Sequence, residues 1–225
     1  MMSTIADRIR ELHEIIPEGV QLVAVSKFHD ASQIREAYDA GQRCFGESRV
    51  QELLAKIPLL PDGIRWHFIG HLQTNKVRQI VGKVSLIESV DSIRLLSLID
   101  SESRKAGVTS NVLMQVHVAQ EETKFGFLPE ELVAFFKEKK FEELTNTHIA
   151  GVMGMASNTD DVERVRGDFK AIADTFRRIK NMYPSNFLRG FEQISMGMSG
   201  DWPIAVEEGA TMVRIGTAIF GQRNY

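Results

Sequence analysis

Eight short apolar runs recur along the chain: "QLVAVS", "RCFGE", "WHFIG", "SLIES", "NVLMQVHV", "HIAGVMGM", "QISMG" and "MVRIGTAIF". Most are rich in β-branched residues, and the stretches between them carry helical periodicity. Strands that alternate with helices imply parallel strands joined by helical crossovers. Eight such units in 225 residues match a (β/α)8 TIM barrel in number and length. An open doubly wound sheet is the competing α/β architecture. The strongest helical stretch runs from Asp160 to Lys180. There Val162, Val165, Phe169, Ile172, Phe176 and Ile179 step by threes and fours along one apolar stripe. Asp160, Asp161, Glu163 and Asp168 read as its solvated face. "DASQIREAYDAG" stops on Gly41, and "LPEELVAFFKEKK" carries Pro129 where a first-turn proline is harmless. A further helix over residues 3–16 precedes the first strand. The expectation is one barrel domain over residues 1–225, with an extra N-terminal helix.

Composition narrows the function classes. The net charge of −3 gives no electrostatic footprint for nucleic acid. No apolar run reaches the length a bilayer needs, and "MMSTIADRIRELHEII" lacks the apolar core of a signal peptide. The single cysteine, Cys44, allows no internal disulfide and reads as a packed thiol beside Phe45. A cytoplasmic protein with no membrane partner is expected. There is no GxxxxGK loop and no strand-placed GxGxxG, so nucleotide binding lacks support.

In either α/β architecture the chemistry gathers at the carboxyl ends of the strands. Lys27 falls there. By alternation it shares a face with Val23 and Val25, which makes it the top of the barrel interior or a lysine reaching over the rim to solvent. A desolvated amine is held partly neutral and can form a Schiff base with a carbonyl. "SMGMSGDWP" brings Ser199 and Gly200 to the end of strand seven, where Asp201, Trp202 and Pro203 open a short helix. "RIGTAIFG" brings Gly216 and Thr217 to the end of strand eight. Small residues, hydroxyls and exposed N–H groups at these two positions favour a phosphate. Arg214 shares a face with Met212 and Gly216. Inside a barrel it needs an acceptor: a barrel carboxylate, or the ring nitrogen of a bound cofactor. His67 and His71 are four apart, but a strand end and Gly70 separate them, so a shared metal site is not expected. His117 and His148 read as structural.

Taken together, "LVAVSK", "FGESRVQE", "WHFIGHLQTNK", "KFGF", "SMGMSGDW" and "RIGTAIFG" resemble the pyridoxal phosphate homeostasis proteins, similar in fold to the N-terminal barrel of alanine racemase. The likeness runs from about Leu22 to Gly221, with the motifs in the family's order. It implies pyridoxal 5′-phosphate as cofactor, carried as a Schiff base on Lys27. It places Ser199, Gly200, Gly216 and Thr217 around the phosphate and Arg214 at the pyridine nitrogen. His67 and Ser195 then line the pocket, and Met153 contributes an apolar wall. The family commonly has Asn-Tyr where this chain has Ser48-Arg49, so the shorter Ser48 stands where an asparagine would bond near the cofactor. The implied role is a carrier in vitamin B6 homeostasis, without an assigned catalytic residue or reaction. Partners would be the cofactor and, further, apoenzymes that require it; a monomer is expected rather than a dimer.

The alternative is an amino-acid racemase that uses pyridoxal phosphate. Racemisation needs a base on each face of the substrate Cα, and in alanine racemase a tyrosine from a second domain supplies one. Here the chain reaches Tyr225 directly after the last strand, and Tyr38, Tyr183 and Tyr225 fall at no strand end. A cofactor-free, aldolase-type Schiff base on Lys27 is a third reading. Lys76 and Lys124 are expected to be structural.

Overall fold

The computed structural model describes residues 3–119, 125–184, 188 and 190–222. Its strands are β1 (Gln21–Val25), β2 (Cys44–Glu47), β3 (Arg65–Phe68), β4 (Leu86–Val90), β5 (Ser110–Val116), β6 (Thr147–Gly154), β7 (Gln193–Ser195) and β8 (Met212–Ile215). All eight pair in parallel, each with its sequence neighbours, and β8 returns to β1 to close the barrel. The closed barrel, and not the open sheet, is therefore the architecture.

The helices are α1 (Ile5–Ile15), α2 (Ala31–Asp39), α3 (Val50–Lys56), α4 (Val77–Ile80), α5 (Ile93–Ala106), α6 (Pro129–Lys137), α7 (Val162–Lys180), α8 (Trp202–Glu207) and α9 (Thr217–Phe220). Their ends follow local chemistry. Thr4, Asp30 and Asp161 accept hydrogen bonds from first-turn N–H groups of α1, α2 and α7. The apolar stripe of α7 is buried at Val165, Phe169, Ile172, Phe176 and Ile179. Burying one such side chain stabilises the fold by about 1.5–3 kcal/mol. Trp66 and Phe68, on the outer face of β3, join the core between sheet and helices.

Two expectations are corrected. "MVRIGTAIF" is not one strand. It is β8 followed by α9, because the N–H groups of Ile219 and Phe220 both turn back onto Gly216 O. Ile219 and Phe220 are buried in that helix, where Phe220 stacks on His29 at 4.8 Å and Arg8 bonds Ile219 O. Tertiary packing overrides the β-propensity of the segment. Asp168 is not on a solvated face. It is 4% exposed, accepts the Ser157 N–H at 2.8 Å and pairs with Arg164 at 3.0 Å. It thereby ties the β6–α7 loop to the helix.

The register between β5 and β6 shifts at Val112/Leu113. The odd residue opposite is accommodated around Gly151, where φ is +153° and an added Cβ would stand 1.9 Å from Gln193 O. Only glycine allows that close approach of backbone to backbone.

Candidate functional site

The barrel interior is filled by Val23, Cys44, Leu86, Leu113, Ala150, Met153 and Met212. Above this apolar layer lies a polar one. On β4 and β8 the polar residue stands two positions carboxyl-terminal to the apolar one, Glu88 after Leu86 and Arg214 after Met212. That is one step up the same face. Ser195 from β7 joins this layer, and His67 from β3 reaches it from lower in the barrel: it pairs in register with Leu86 and borders a cavity at the amino ends of the strands with Gln21, Arg65, Ser85 and Gln193. Glu88 Oε1 accepts from His67 Nδ1 at 2.6 Å, and Glu88 Oε2 accepts the Ser195 hydroxyl at 2.6 Å. Arg214 Nη1 donates to Ser195 O and Oγ, and its Nη2 donates to Gly154 O. The nearest carboxylate oxygen to the guanidinium is Glu88 Oε2, at 3.8 Å. All four side chains are buried.

Burial dictates the charge states. It pulls the His67 imidazole down, but the contacts with Cys44 and Glu88 outweigh it and hold the pKa up at about 10. Burial pushes the Glu88 carboxyl up, yet His67, Arg214 and Ser195 together bring it below the usual carboxylate range. Burial also lowers the Arg214 guanidinium, opposed by Glu88 and Asp201. The layer thus sets two cations around one anion beneath the barrel mouth.

Lys27 stands at that mouth. β1 ends at Val25, and Lys27 is half-buried in the turn that follows. The β1–β8 register pairs Val23 with Arg214 and Ala24 with Ile215, which brings Gly216 abreast of Val25. A Cβ at Gly216 would meet Val25 O at 3.1 Å and Val25 Cβ at 3.2 Å, so the two chains meet closely there. The Gly216 N–H donates to Ser199 Oγ at 3.3 Å, joining the turn after β7 to the turn after β8. Gly200 has nothing within 4 Å of where its Cβ would stand, so the turn presents bare backbone to open space. Exposed Thr217 begins α9. Lys27, Ser199, Gly200, Gly216 and Thr217 therefore gather at one end of the barrel. A groove of about 600 Å³ adjoins this end, lined among others by Met155, Ser157, Met198, Gly200 and Asp201.

The other residues singled out from the sequence lie deeper or to the side. Met153 is 1% exposed in the interior cluster. Ser48 follows β2 with its backbone against Gly70, whose Cβ would fall 2.3 Å from Ser48 O. Arg49 lays its guanidinium 4.6 Å over the Phe28 ring. His67 and His71 turn to different carboxylates, Glu88 and Asp91. Lys124 and Tyr225 lie outside the described residues.

Two sets of residues escaped the sequence reading. Glu88 is the hub of the polar layer; its alternation with Leu86 in "SLIES" is the signal that could have placed it inside. Glu47, Glu52 and Lys56 form a buried ionic cluster beside Ser26. Their spacing along "ESRVQELLAK" carries only the i,i+4 pair of Glu52 and Lys56 as a hint.

This closed barrel falls in the class of the alanine racemase N-terminal domain, whose family model matches residues 2–224. Alanine racemase from Clostridium difficile shares the fold at a TM-score of 0.78 and 12% identity, with 100% of this chain and 58% of that one covered. The structure of PipY of Synechococcus elongatus PCC7942 with PLP bound superposes with a TM-score of 0.88 and 38% identity, over 97% of this chain and 100% of that one. The pyridoxal phosphate homeostasis protein of Aquifex aeolicus is 39% identical over 228 residues, covering 100% of this chain and 97% of its own. Within the class, the chain belongs to the pyridoxal phosphate homeostasis protein family.

Proposed function

We propose that this protein binds pyridoxal 5′-phosphate at the carboxyl end of its barrel and carries it, through the Lys27 amine, as part of vitamin B6 homeostasis. The supporting observation is that Lys27 follows β1 at the barrel end where the turns at Ser199–Gly200 and Gly216 are joined. The residues fit the cofactor. An amine suits its aldehyde, and the bare backbone at Gly200 leaves room for an anion that a Cβ would occupy. Thr217 adds a hydroxyl beside it. Bound, the cofactor supplies a reactive aldehyde and an electron-withdrawing ring.

The chain's own residues favour holding over catalysis. On this reading Arg214 meets the ring nitrogen. The guanidinium, fixed by Ser195 and Gly154 O, has no proton to give up and keeps that nitrogen unprotonated, which weakens the ring as an electron sink. His67 and Ser195 act from below: their hydrogen bonds to Glu88 hold Ser195, and through it Arg214, in place. Met153 and Ser48 complete the floor and side of the pocket. Handing the cofactor to apoenzymes that require it is the role this arrangement suits, in the cytoplasm and as a monomer.

The test is Lys27→Ala. The purified variant should keep its far-UV circular dichroism but lose the near-visible absorbance that wild-type protein gains on titration with pyridoxal 5′-phosphate. Borohydride reduction and peptide mapping of the wild type should place the cofactor on Lys27. Unchanged absorbance in the variant, or the label on another lysine, refutes the proposal.

A further inference from the structure

Behind the barrel wall, on the far side of β1 from the interior, lies a buried cluster of charge that the carrier role leaves without a task. Alternation sends Val23, Val25 and Lys27 inward and Ser26 outward. Ser26 is fully buried against the end of β2 and against α3. Its hydroxyl donates to Glu47 Oε1 at 2.6 Å, and its carbonyl accepts from Lys56 Nζ at 2.8 Å. Lys56 also bonds Glu47 Oε1 at 2.7 Å and Glu52 Oε1 at 2.6 Å. Glu52 Oε1 in turn accepts the N–H of Phe28 at 2.5 Å. The residues on both sides of Lys27 are therefore gripped by one ammonium and two carboxylates.

The grip has a conformational object. Phe28 adopts φ +69°, one of two such non-glycine residues among those described. The left-handed region costs an L-residue about 1–2 kcal/mol, so it persists only where the surroundings enforce it. Here the Glu52 carboxylate holds the Phe28 N–H from one side, and the Arg49 guanidinium covers the ring from the other. This turn carries the chain from β1 towards α2, and Lys27 sits between its two anchored peptides.

The cluster is also costly to keep. Glu47 is wholly buried, and its Oε2 has no partner among the described residues. Burial pushes its carboxyl up against the pull of Lys56 and Ser26. Buried ion pairs are weak stabilisers and are replaced by apolar residues at little loss. Retaining one directly behind a reactive lysine points to a role in geometry.

We propose that Lys56, Glu47 and Glu52 are positioning residues for the Lys27 amine, locking the Ser26–Phe28 turn so that the amine faces the barrel mouth. The assignment rests on the reading of Lys27 as the residue that captures the aldehyde. Its test, however, can be run without the cofactor.

The test uses Glu52, whose side chain is partly exposed at 19%, because removing Lys56 leaves the wholly buried Glu47 uncompensated and endangers folding. Glu52→Ala removes the acceptor for the Phe28 N–H; Glu52→Gln keeps one. In the full chain without cofactor, Lys27 is reductively methylated with ¹³C-formaldehyde and cyanoborohydride. The rate at Lys27 is read by peptide mapping, and the pH midpoint of the labelled amine by NMR. The rate of pyridoxal 5′-phosphate capture is followed in parallel by absorbance. Glu52→Ala, folded by circular dichroism, should change the Lys27 methylation rate, shift its pH midpoint and slow capture by about tenfold. Glu52→Gln should stay within about threefold of wild type. A folded Glu52→Ala with wild-type methylation rate and midpoint overturns the proposal, as does a Glu52→Gln as impaired as Glu52→Ala. Failure of wild-type protein to take up the cofactor would instead defeat the carrier reading and leave the methylation result standing.

Discussion

Replacing Glu88 by glutamine should be the most informative single change in the barrel interior. Among the described residues, this carboxylate is the anion that acts on both His67 and Arg214, and it accepts from His67 and Ser195 at 2.6 Å each. Glutamine keeps the volume but removes the charge, leaving the buried Arg214 guanidinium without its carboxylate and His67 without the anion that holds its proton. Breaking a buried pair in this way costs about 3–5 kcal/mol. For a chain of this size that corresponds to a fall in Tm of about 6–20 °C. The pH dependence sharpens the test. The His67 pKa rises from 6.5 to about 10 on folding, so its contribution is fully present below pH 6.5 and is lost as pH climbs through 10. By linkage that difference is on the order of 5 kcal/mol across the window. The Glu88 pKa is lowered, so its contribution has the opposite sense: present above the ordinary carboxylate range and lost as pH falls through the folded value. Wild-type stability, measured by urea denaturation with fluorescence of Trp66 and Trp202, should decline between pH 7 and pH 10. The Glu88→Gln decline should be shallower, because the partner that holds the imidazolium is gone. Parallel wild-type and variant curves over that window, or a variant within 1 kcal/mol of wild type at pH 7, would refute the charge assignment.

Gly200→Ala should leave stability within about 0.5 kcal/mol, since nothing lies within 4 Å of the added methyl, while pyridoxal 5′-phosphate affinity measured by absorbance titration falls; unchanged affinity would move the phosphate elsewhere. Gly216→Ala meets Val25 O at 3.1 Å and should cost about 1 kcal/mol or more in stability, besides weakening the cofactor; a variant as stable as wild type would show that β1 and β8 yield freely. Asp168→Ala removes the acceptor of the Ser157 N–H and the Arg164 ion pair and should cost about 1–3 kcal/mol, seen as a lower Tm with cofactor affinity little changed. A neutral result would return Asp168 to the solvated face.

The barrel was legible because its signal is repeated: eight apolar runs with helical stretches between them, several carrying a cap or a stop, leave little choice of architecture. The shared barrel end of Lys27, Ser199, Gly200, Gly216 and Thr217 was legible because a parallel barrel sends every strand's carboxyl end to one side. The misreadings share a cause. "GTAIF" has the composition of a strand, and only the hydrogen bonds back to Gly216 O and the burial of Ile219 and Phe220 make it helical. Asp168 has the spacing of an exposed charge, and the Ser157 N–H, eleven residues back, together with Arg164 accounts for its burial. Glu88 and the Lys56 cluster escaped for the same reason. A carboxylate's partners are set by barrel closure, which brings β3, β4, β7 and β8 around one interior, and local spacing carries no trace of that.

The interior layers also explain why a chain with this site can stay folded. On β4 and β8 an apolar residue precedes the polar one by two positions, so Leu86 and Met212 lie beneath Glu88 and Arg214. The apolar layer supplies the packing that stabilises the barrel; the polar group above it costs desolvation and sets two cations against one carboxylate. A second charged cluster, behind the wall at Lys56, loads the same end of β1 and β2. Natural sequences depart from consistent core patterning mainly where function requires it, and here the Lys56 cluster grips the turn that bears Lys27, while the Glu88 group lies inside the barrel. If stability alone had shaped this end of the barrel, apolar residues at 47 and 56 together would serve better. A double apolar replacement at those positions should therefore give a barrel at least as stable as a variant that removes one of the two charges alone, yet one that captures pyridoxal 5′-phosphate more slowly than wild type. A double variant with wild-type capture would separate the Lys56 cluster from the site.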